Sequence, residues 1–275
     1  MRCRMMNLTN IKEDEINFED LKFLLKSNIR LNILVNLYFG KKNLSGLREE
    51  LGKSSASLLH VLSELSSRKM VLKSERNYYL SSKGYLFALN LIKLFMNWNS
   101  FTRLESFWIK HDLNMIPIEF FQSSYLLVNS EIVKSEEVDF AKPLKAYLEL
   151  LPKSKILNVT LPIFSDIHLN ALFKEVENGC KLNLITTPYV LESFRQKGFM
   201  KRLLELSQDY DVTLWRCDDL NFFMTCSENF MSLNLFFMDN HYDDSAMLLN
   251  KDEKGIIWGK YLFDYLLNKS VKIIL

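Results

Sequence analysis

Near Pro152 the spacing of apolar residues changes rhythm, and this constrains the fold more than any other feature of the chain. Before it, Leu, Ile and Phe recur every three or four residues, the period of a helix face. After it, short apolar runs at 155–161, 180–185 and 212–217 are separated by stretches of helical spacing at 166–178 and 187–207. Strands that alternate with helices at this interval pair in parallel. Runs at 222–226, 231–237 and 246–250 read as a meander, followed by a closing helix at 255–268 and a last strand at 271–275. The expected class is therefore α+β and multidomain, with an α/β domain at 153–275.

The N-terminal third reads differently. Residues 18–39 form one helix or two abutting ones, with a break at Ser27-Asn28 where Asn28 is expected to cap the second piece. Gly40-Lys41-Lys42-Asn43 reads as a turn. A short helix follows at 44–51, and Gly52 ends it. The serines of Lys53-Ser54-Ser55-Ala56-Ser57 open another helix, running to about residue 69. Two short helices joined by a tight turn make a helix-turn-helix. Strands at 70–73 and 78–81 flank Ser74-Glu75-Arg76-Asn77, a hairpin placed where a wing would be. This order predicts a winged helix-turn-helix domain over 16–83.

The second of those helices is the expected reader of double-stranded DNA, with Ser55, Ala56, Ser57, Leu59 and His60 facing outward. Lys41, Lys42, Arg48 and Lys53 precede it, and Arg68, Lys69, Lys73 and Arg76 follow. Flanking cations suit phosphate contacts, which position a protein while the helix reads base edges. The expected DNA-binding residues are Lys53, Ser54, Ser55, Ser57, Leu59, His60, Lys73 and Arg76. That face has no Arg, Asn or Gln for bidentate base contacts, so part of the specificity falls to DNA shape. The alternative is a winged helix that binds protein.

Residues 84–152 are expected to link and dimerise. A long helix at 85–109 carries the stripe Leu91, Leu94, Phe95, Trp98, Phe101, Leu104 and Trp108. A helix so apolar packs against a partner, and paired half-sites need paired readers, so a homodimer is expected; intrachain packing is the competing reading. Residues 116–152 read as a connecting region with helices at 120–128 and 141–151.

Charge is unevenly divided. Residues 1–95 hold 16 Lys+Arg against 9 Asp+Glu, and residues 96–275 hold 19 against 24, within a total of +2. A basic first third suggests that this part alone meets a polyanion. Eight glycines are too few for a phosphate-cradling loop, and no cofactor is expected. Cys3, Cys180, Cys217 and Cys226 form no CxxC pair and read as reduced thiols. No stretch reads as a signal sequence or a membrane span, so a cytoplasmic protein is expected.

Several stretches, in order, carry a family resemblance. They are Phe18-Glu19-Asp20-Leu21-Lys22-Phe23-Leu24 with Ser27 and Ile29-Arg30-Leu31, then Phe107-Trp108-Ile109-Lys110-His111-Asp112-Leu113 with Ile116-Pro117. Gly179-Cys180-Lys181-Leu182-Asn183-Leu184-Ile185, Ser232-Leu233-Asn234-Leu235-Phe236, His241-Tyr242-Asp243 and Ile257-Trp258-Gly259-Lys260-Tyr261-Leu262-Phe263 follow. The chain resembles archaeal, methanogen-type regulators that join a winged helix to the methanogenesis-regulator effector domain. The resemblance implies a transcriptional regulator whose effector domain is similar to the phospholipase D-like fold. Leu59 and His60 stand where typical members carry more polar or basic residues.

Phospholipase D chemistry needs a His nucleophile with Lys two residues on. After His60, His111, His168 and His241 come Leu62, Leu113, Asn170 and Asp243, so that motif is absent and no catalytic residue is assigned. A phosphodiesterase is the lesser alternative. His241, Asp243 and Asp244 lie close in sequence, yet no second cluster supports a metal. His241, Asp243 and Trp258 are the candidates for lining an effector pocket; a solvated turn and a core tryptophan are the plainer readings. Lys142, Lys145 and Arg195 could meet an anionic effector, and solvation accounts for them equally well.

Overall fold

The computed structural model describes residues 18–275; Cys3 and the expected domain start at residue 16 lie outside the described residues. The chain divides into two units, Met1–Phe95 and Met96–Leu275.

The first unit begins with α1 (Phe18–Leu25) and α2 (Asn28–Tyr38). The cap between them is Ser27, not Asn28: the Ser27 hydroxyl accepts from the Arg30 amide. The expected turn at 40–43 contributes a two-residue strand, β1 (Lys42–Asn43). Then come α3 (Leu44–Leu51), α4 (Ser55–Ser67), and the hairpin β2 (Val71–Ser74) and β3 (Asn77–Leu80). The three strands pair antiparallel in the order β1-β3-β2. Leu24, Leu34, Leu47, Leu58, Leu62 and Leu65 are buried together, the one inward stripe that each helix's spacing provides.

Two backbone positions shape this unit. Gly52, with φ of 60°, takes the left-handed conformation that turns α3 into α4. α5 (Ser82–Arg103) opens against the entry to β2, where its Gly84 comes so close to Met70 that a Cβ would lie 2.1 Å from the Met70 carbonyl oxygen. The Ser81 hydroxyl caps α5 by accepting from the Gly84 amide at 3.1 Å, and also donates to the Lys69 carbonyl.

The second unit is mixed α/β. It contains α6 (Glu105–Trp108), α7 (Ile118–Phe121), β4 (Glu131–Lys134), α8 (Lys142–Leu150), β5 (Ile156–Leu161), α9 (Asp166–Glu177) and β6 (Lys181–Thr186). These are followed by α10 (Pro188–Gln196), α11 (Phe199–Asp209), β7 (Val212–Arg216), β8 (Phe223–Cys226), β9 (Met231–Asn234), β10 (Ala246–Asn250), α12 (Glu253–Leu267) and β11 (Val271–Ile273). The single helical stretch expected at 187–207 is two helices, broken at Gly198. The eight strands run β11-β7-β6-β5-β8-β9-β10-β4, with β5, β6 and β7 parallel and every other pairing antiparallel.

Both faces of this sheet are covered, and the alternation of strand side chains decides which residue goes where. Leu184, Phe223, Met247 and Leu249 join Leu172, Phe173 and Phe194 on one face. Ile185, Met224 and Leu248 join Trp258, Leu262 and Phe263 of α12 on the other. The region read as a connector is part of this body. Leu104, Phe107, Trp108 and Leu127 pack into the α12 face, and β4 pairs with β10 at the sheet edge. Its apolar residues need burial, and the α12 face supplies it. The expected helix at 85–109 accordingly stops at Arg103 and restarts as α6.

Candidate nucleic-acid interface and ligand cavity

α4 is held from its buried side. Leu58, Val61, Leu62 and Leu65 anchor it, and the Ser54 hydroxyl caps its start by accepting from the Ser57 amide at 3.2 Å. The opposite face leaves Lys53, Ala56, Leu59, His60, Ser63, Ser66 and Ser67 exposed. Leu59 is 45% exposed. Of the residues expected to face outward, Ser55 and Ser57 are half-buried, and the Ser54 oxygen is engaged in its cap. Ser63, Ser66 and Ser67 were missed, although steps of three and four from His60 reach them.

The cations fall into two groups. Arg30 makes a fork to Glu64 at 3.0 and 3.2 Å and donates to the Phe23 carbonyl at 2.6 Å. Arg68 and Lys83 converge on Asp20 at 2.5 and 2.6 Å. The Lys83 bond, helped by Arg68 and opposed by burial, holds the Asp20 carboxyl below its usual range. Lys42 pairs with Glu50. These charges are internal struts, and Arg68 and Lys42 are thereby withdrawn from the set expected to flank DNA. Lys41, Arg48, Lys53, Lys69, Lys73 and Arg76 have no acidic partner among the described residues. Lys73 and Arg76 are exposed on the hairpin, whose turn places Glu75 at a φ of 52°. His60 stands 3.7 Å from Glu64, the carboxylate that Arg30 already holds.

In the second unit the residues expected to form an effector pocket are not together. The His241 side chain is 81% exposed and pairs with Asp239 at 3.1 Å. Trp258 lies in the core, its indole N–H donating to the Phe120 carbonyl at 3.0 Å. Asp243 is buried and accepts from His111 Nε2 at 2.9 Å, the Ser245 amide at 2.9 Å and the Ser245 hydroxyl at 2.5 Å. Burial raises the Asp243 carboxyl, but the bonds from His111 and Ser245 outweigh it and leave it below its usual range. His111 Nδ1 faces the Phe107 carbonyl at 2.6 Å. Each nitrogen of the ring thus meets an oxygen, and the contact with Asp243 is wholly buried. It belongs to the packing of the unit.

A cavity of about 460 Å³ lies elsewhere, bounded by α8, the start of α9, and residues of β8, β9 and β10. His168, Ser165, Tyr147, Tyr242, Asn234 and Asp244 are its polar or part-polar lining, and Phe140, Leu144, Phe164 and Met247 are among its apolar walls. Lys142 and Lys145 on α8 are paired with Glu136 and Asp139, and Arg195 with Glu192. Burial pushes the His168 imidazole down to about 4. An unfolded histidine protonates near 6.5, so between those values only the unfolded chain takes up the proton. The contribution is fully present above 6.5 and is lost as pH falls toward 4. Replacing His168 with Asn is expected to remove about 2 kcal/mol of the stability difference between pH 7 and pH 4.5, as read by urea unfolding. Equal pH dependence in the two chains would contradict it.

Among the described residues no group of three or more His, Cys, Asp or Glu is arranged to hold a metal ion, and no helix is long and apolar enough to cross a membrane. Cys180, Cys217 and Cys226 are buried free thiols; burial pushes Cys180 up to about 11 and Cys226 up to about 12.

These two units match two family models in order along the chain. Residues 18–97 match the N-terminal domain of the methanogenesis regulatory protein FilR1, and residues 140–269 match its middle domain. The chain belongs to this family. Over 263 residues it is 26% identical to the methanogenesis regulatory protein FilR1 of Methanothrix harundinacea (strain 6Ac), covering 91% of this chain and 57% of that protein. The chain thus spans little more than half the length of that relative. Among solved structures, it is similar to TrmBL2, described as an archaeal chromatin protein with a novel mode of DNA binding, at 13% identity and a TM-score of 0.43, over 93% of this chain and 98% of that one. Nuc of Salmonella typhimurium, a phospholipase D family member, is similar at 8% identity and a TM-score of 0.43, over 54% of this chain and 99% of that one. At such scores neither likeness bears on function.

Proposed function

We propose that this chain is a DNA-binding transcriptional regulator whose first unit is a winged helix-turn-helix. α4 lies in the major groove of a duplex, and the β2–β3 hairpin serves as the wing against neighbouring phosphates. The observation that carries this reading is the division of charge. Arg30, Arg68 and Lys83 are consumed inside the unit, while Lys53, Lys73 and Arg76 remain exposed around the α4 face without an acidic partner among the described residues. Family membership supports the same reading. Leu59 offers an apolar contact of the kind that meets a thymine methyl, and Ser63 and His60 offer hydrogen bonds.

The chain acts as a homodimer in the cytoplasm. Support for the dimer comes from large apolar side chains exposed on α5: Leu86 and Leu94 in the first unit, and Trp98, 62% exposed, in the second. The second unit is the phospholipase D-like effector domain that the sequence resemblance implies, without the His-x-Lys pair. It senses a small molecule, and a ligand that favours one arrangement of the dimer changes the fraction able to span two half-sites.

Anisotropy titrations of duplexes cut from genomic DNA, from 50 to 200 mM salt, test the DNA reading. Lys53→Ala and Arg76→Ala should each weaken binding to every duplex and flatten the slope of log K against log salt by about 0.9. Lys201→Ala on α11, already paired with Glu205, should leave the slope alone. Unchanged slopes for both of the first two variants would remove those residues from the interface.

A further inference from the structure

We propose that the 460 Å³ cavity beside α8 and α9 binds an uncharged ligand with an apolar body and one hydrogen-bonding end, and rejects carboxylates and phosphates. The inference deepens the sensing role proposed for the second unit, and it is independent of how the first unit meets DNA.

Size and lining set the body of the ligand. The volume lies in the range of small-molecule sites, and most of the wall is aromatic or aliphatic. Tyr147 supplies wall rather than a free polar group, because its hydroxyl is bonded to Thr225 Oγ1 at 3.1 Å.

Hydrogen-bond bookkeeping sets the polar end. Ser165 caps α9, its hydroxyl oxygen accepting from the His168 amide. The same hydroxyl lies 2.7 Å from His168 Nδ1. Beside the lone pair that serves the cap the hydroxyl keeps a second lone pair and its proton, so it either donates to Nδ1 or accepts from it, and Nε2 is correspondingly a donor or an acceptor. Nε2 has no hydrogen-bond partner among the described residues. Asn234 donates Nδ2 to the Ala246 carbonyl at 2.8 Å, and its Oδ1 likewise has no donor there. The lining therefore holds three polar groups without a partner among the described residues, His168 Nε2, Asn234 Oδ1 and the Tyr242 hydroxyl, which between them suit an amide or hydroxyl.

Charge sets what is refused. Among the described residues no Lys or Arg lines the cavity, and Asp244 is the one acidic side chain in its lining. Lys142 and Lys145 are engaged by their own acids, and Lys197 sits over the ring of Phe164 at 4.2 Å without lining the space. An anion entering here loses its water and meets no cation.

The test pairs two probes of one shape, 4-phenylbutanamide and 4-phenylbutanoate, titrated into the full chain at pH 7.5 without DNA. Binding is read from the His168 ring resonances and by calorimetry. The amide should bind at least about ten-fold more tightly than the carboxylate and shift the His168 signals. Leu144→Trp, which fills the cavity from α8, should abolish binding, and so should His168→Ala, each with an unchanged circular dichroism spectrum. Equal or tighter binding of the carboxylate, retained binding in Leu144→Trp, or no binding of either probe at 10 mM would overturn the proposal. Binding that holds while DNA affinity does not respond would leave the site standing and remove only the sensing role.

Discussion

Asp243→Ala is expected to lower the stability of the second unit by about 3–5 kcal/mol and its melting temperature by roughly 10 °C. The carboxylate is buried and is bonded to an equally buried His111, 2.9 Å away. Removing it leaves His111 Nε2 and the Ser245 hydroxyl buried without the partner they share. The pair also ties the segment after α6 to the β9–β10 connection, where the Asp112 amide donates to the Phe236 carbonyl and the His111 ring stacks on Phe237. Because the Asp243 carboxyl is held below its usual range, its contribution is present above the unfolded carboxylate value near 4 and is lost as pH falls below that. Calorimetry at pH 7 that finds the variant within 1 kcal/mol of the native chain would show that the pair is dispensable.

Gly84→Ala should damage the first unit about as severely, by about 3 kcal/mol. The added Cβ would meet the Met70 carbonyl oxygen at 2.1 Å, the carbonyl carbon at 3.0 Å and Leu80 Cδ2 at 3.3 Å. Two of those atoms are backbone, and the Met70 oxygen already accepts from the Ser81 amide at 3.0 Å, so relief requires α5 to move from the start of β2. Hydrogen exchange read residue by residue should show faster opening at 71–80 with little change in the central strands β5 and β6. Uniform protection equal to the native chain would refute this account of Gly84.

The two variants also mark what the sequence makes legible. α3, α4 and the hairpin could be read from spacing because each is short and bounded by its own signals, the serines at 54–57 as caps and Gly52 as stop, whereas Asn43, read as part of a turn, also caps α3. The parallel strands were legible because each is a run of apolar residues between helices. β4 was not, since Glu131-Ile132-Val133-Lys134 holds only two apolar residues, and its partner β10 lies more than a hundred positions away. The same distance hides the His111–Asp243 pair, whose members are 132 residues apart.

The candidate sites split along the same line. The cations around α4 were visible, but that Arg68 and Lys42 are spent on Asp20 and Glu50 depends on packing. The effector pocket was placed at His241, Asp243 and Trp258 because histidine and aspartate clustered there in sequence. The cavity instead draws on α8, α9 and three strands. One local signal pointed to it: Ser165-Asp166-Ile167-His168 is a capping serine with a histidine three residues on, among apolar neighbours.

Ultraviolet cross-linking of the full native chain to a duplex pool substituted with 5-iodouracil tests the central claim most directly. Adducts should map to 53–67 and to the hairpin at 71–80, and should disappear as salt rises from 50 to 200 mM. Adducts confined to residues 105–275, or none at the lowest salt, would contradict it.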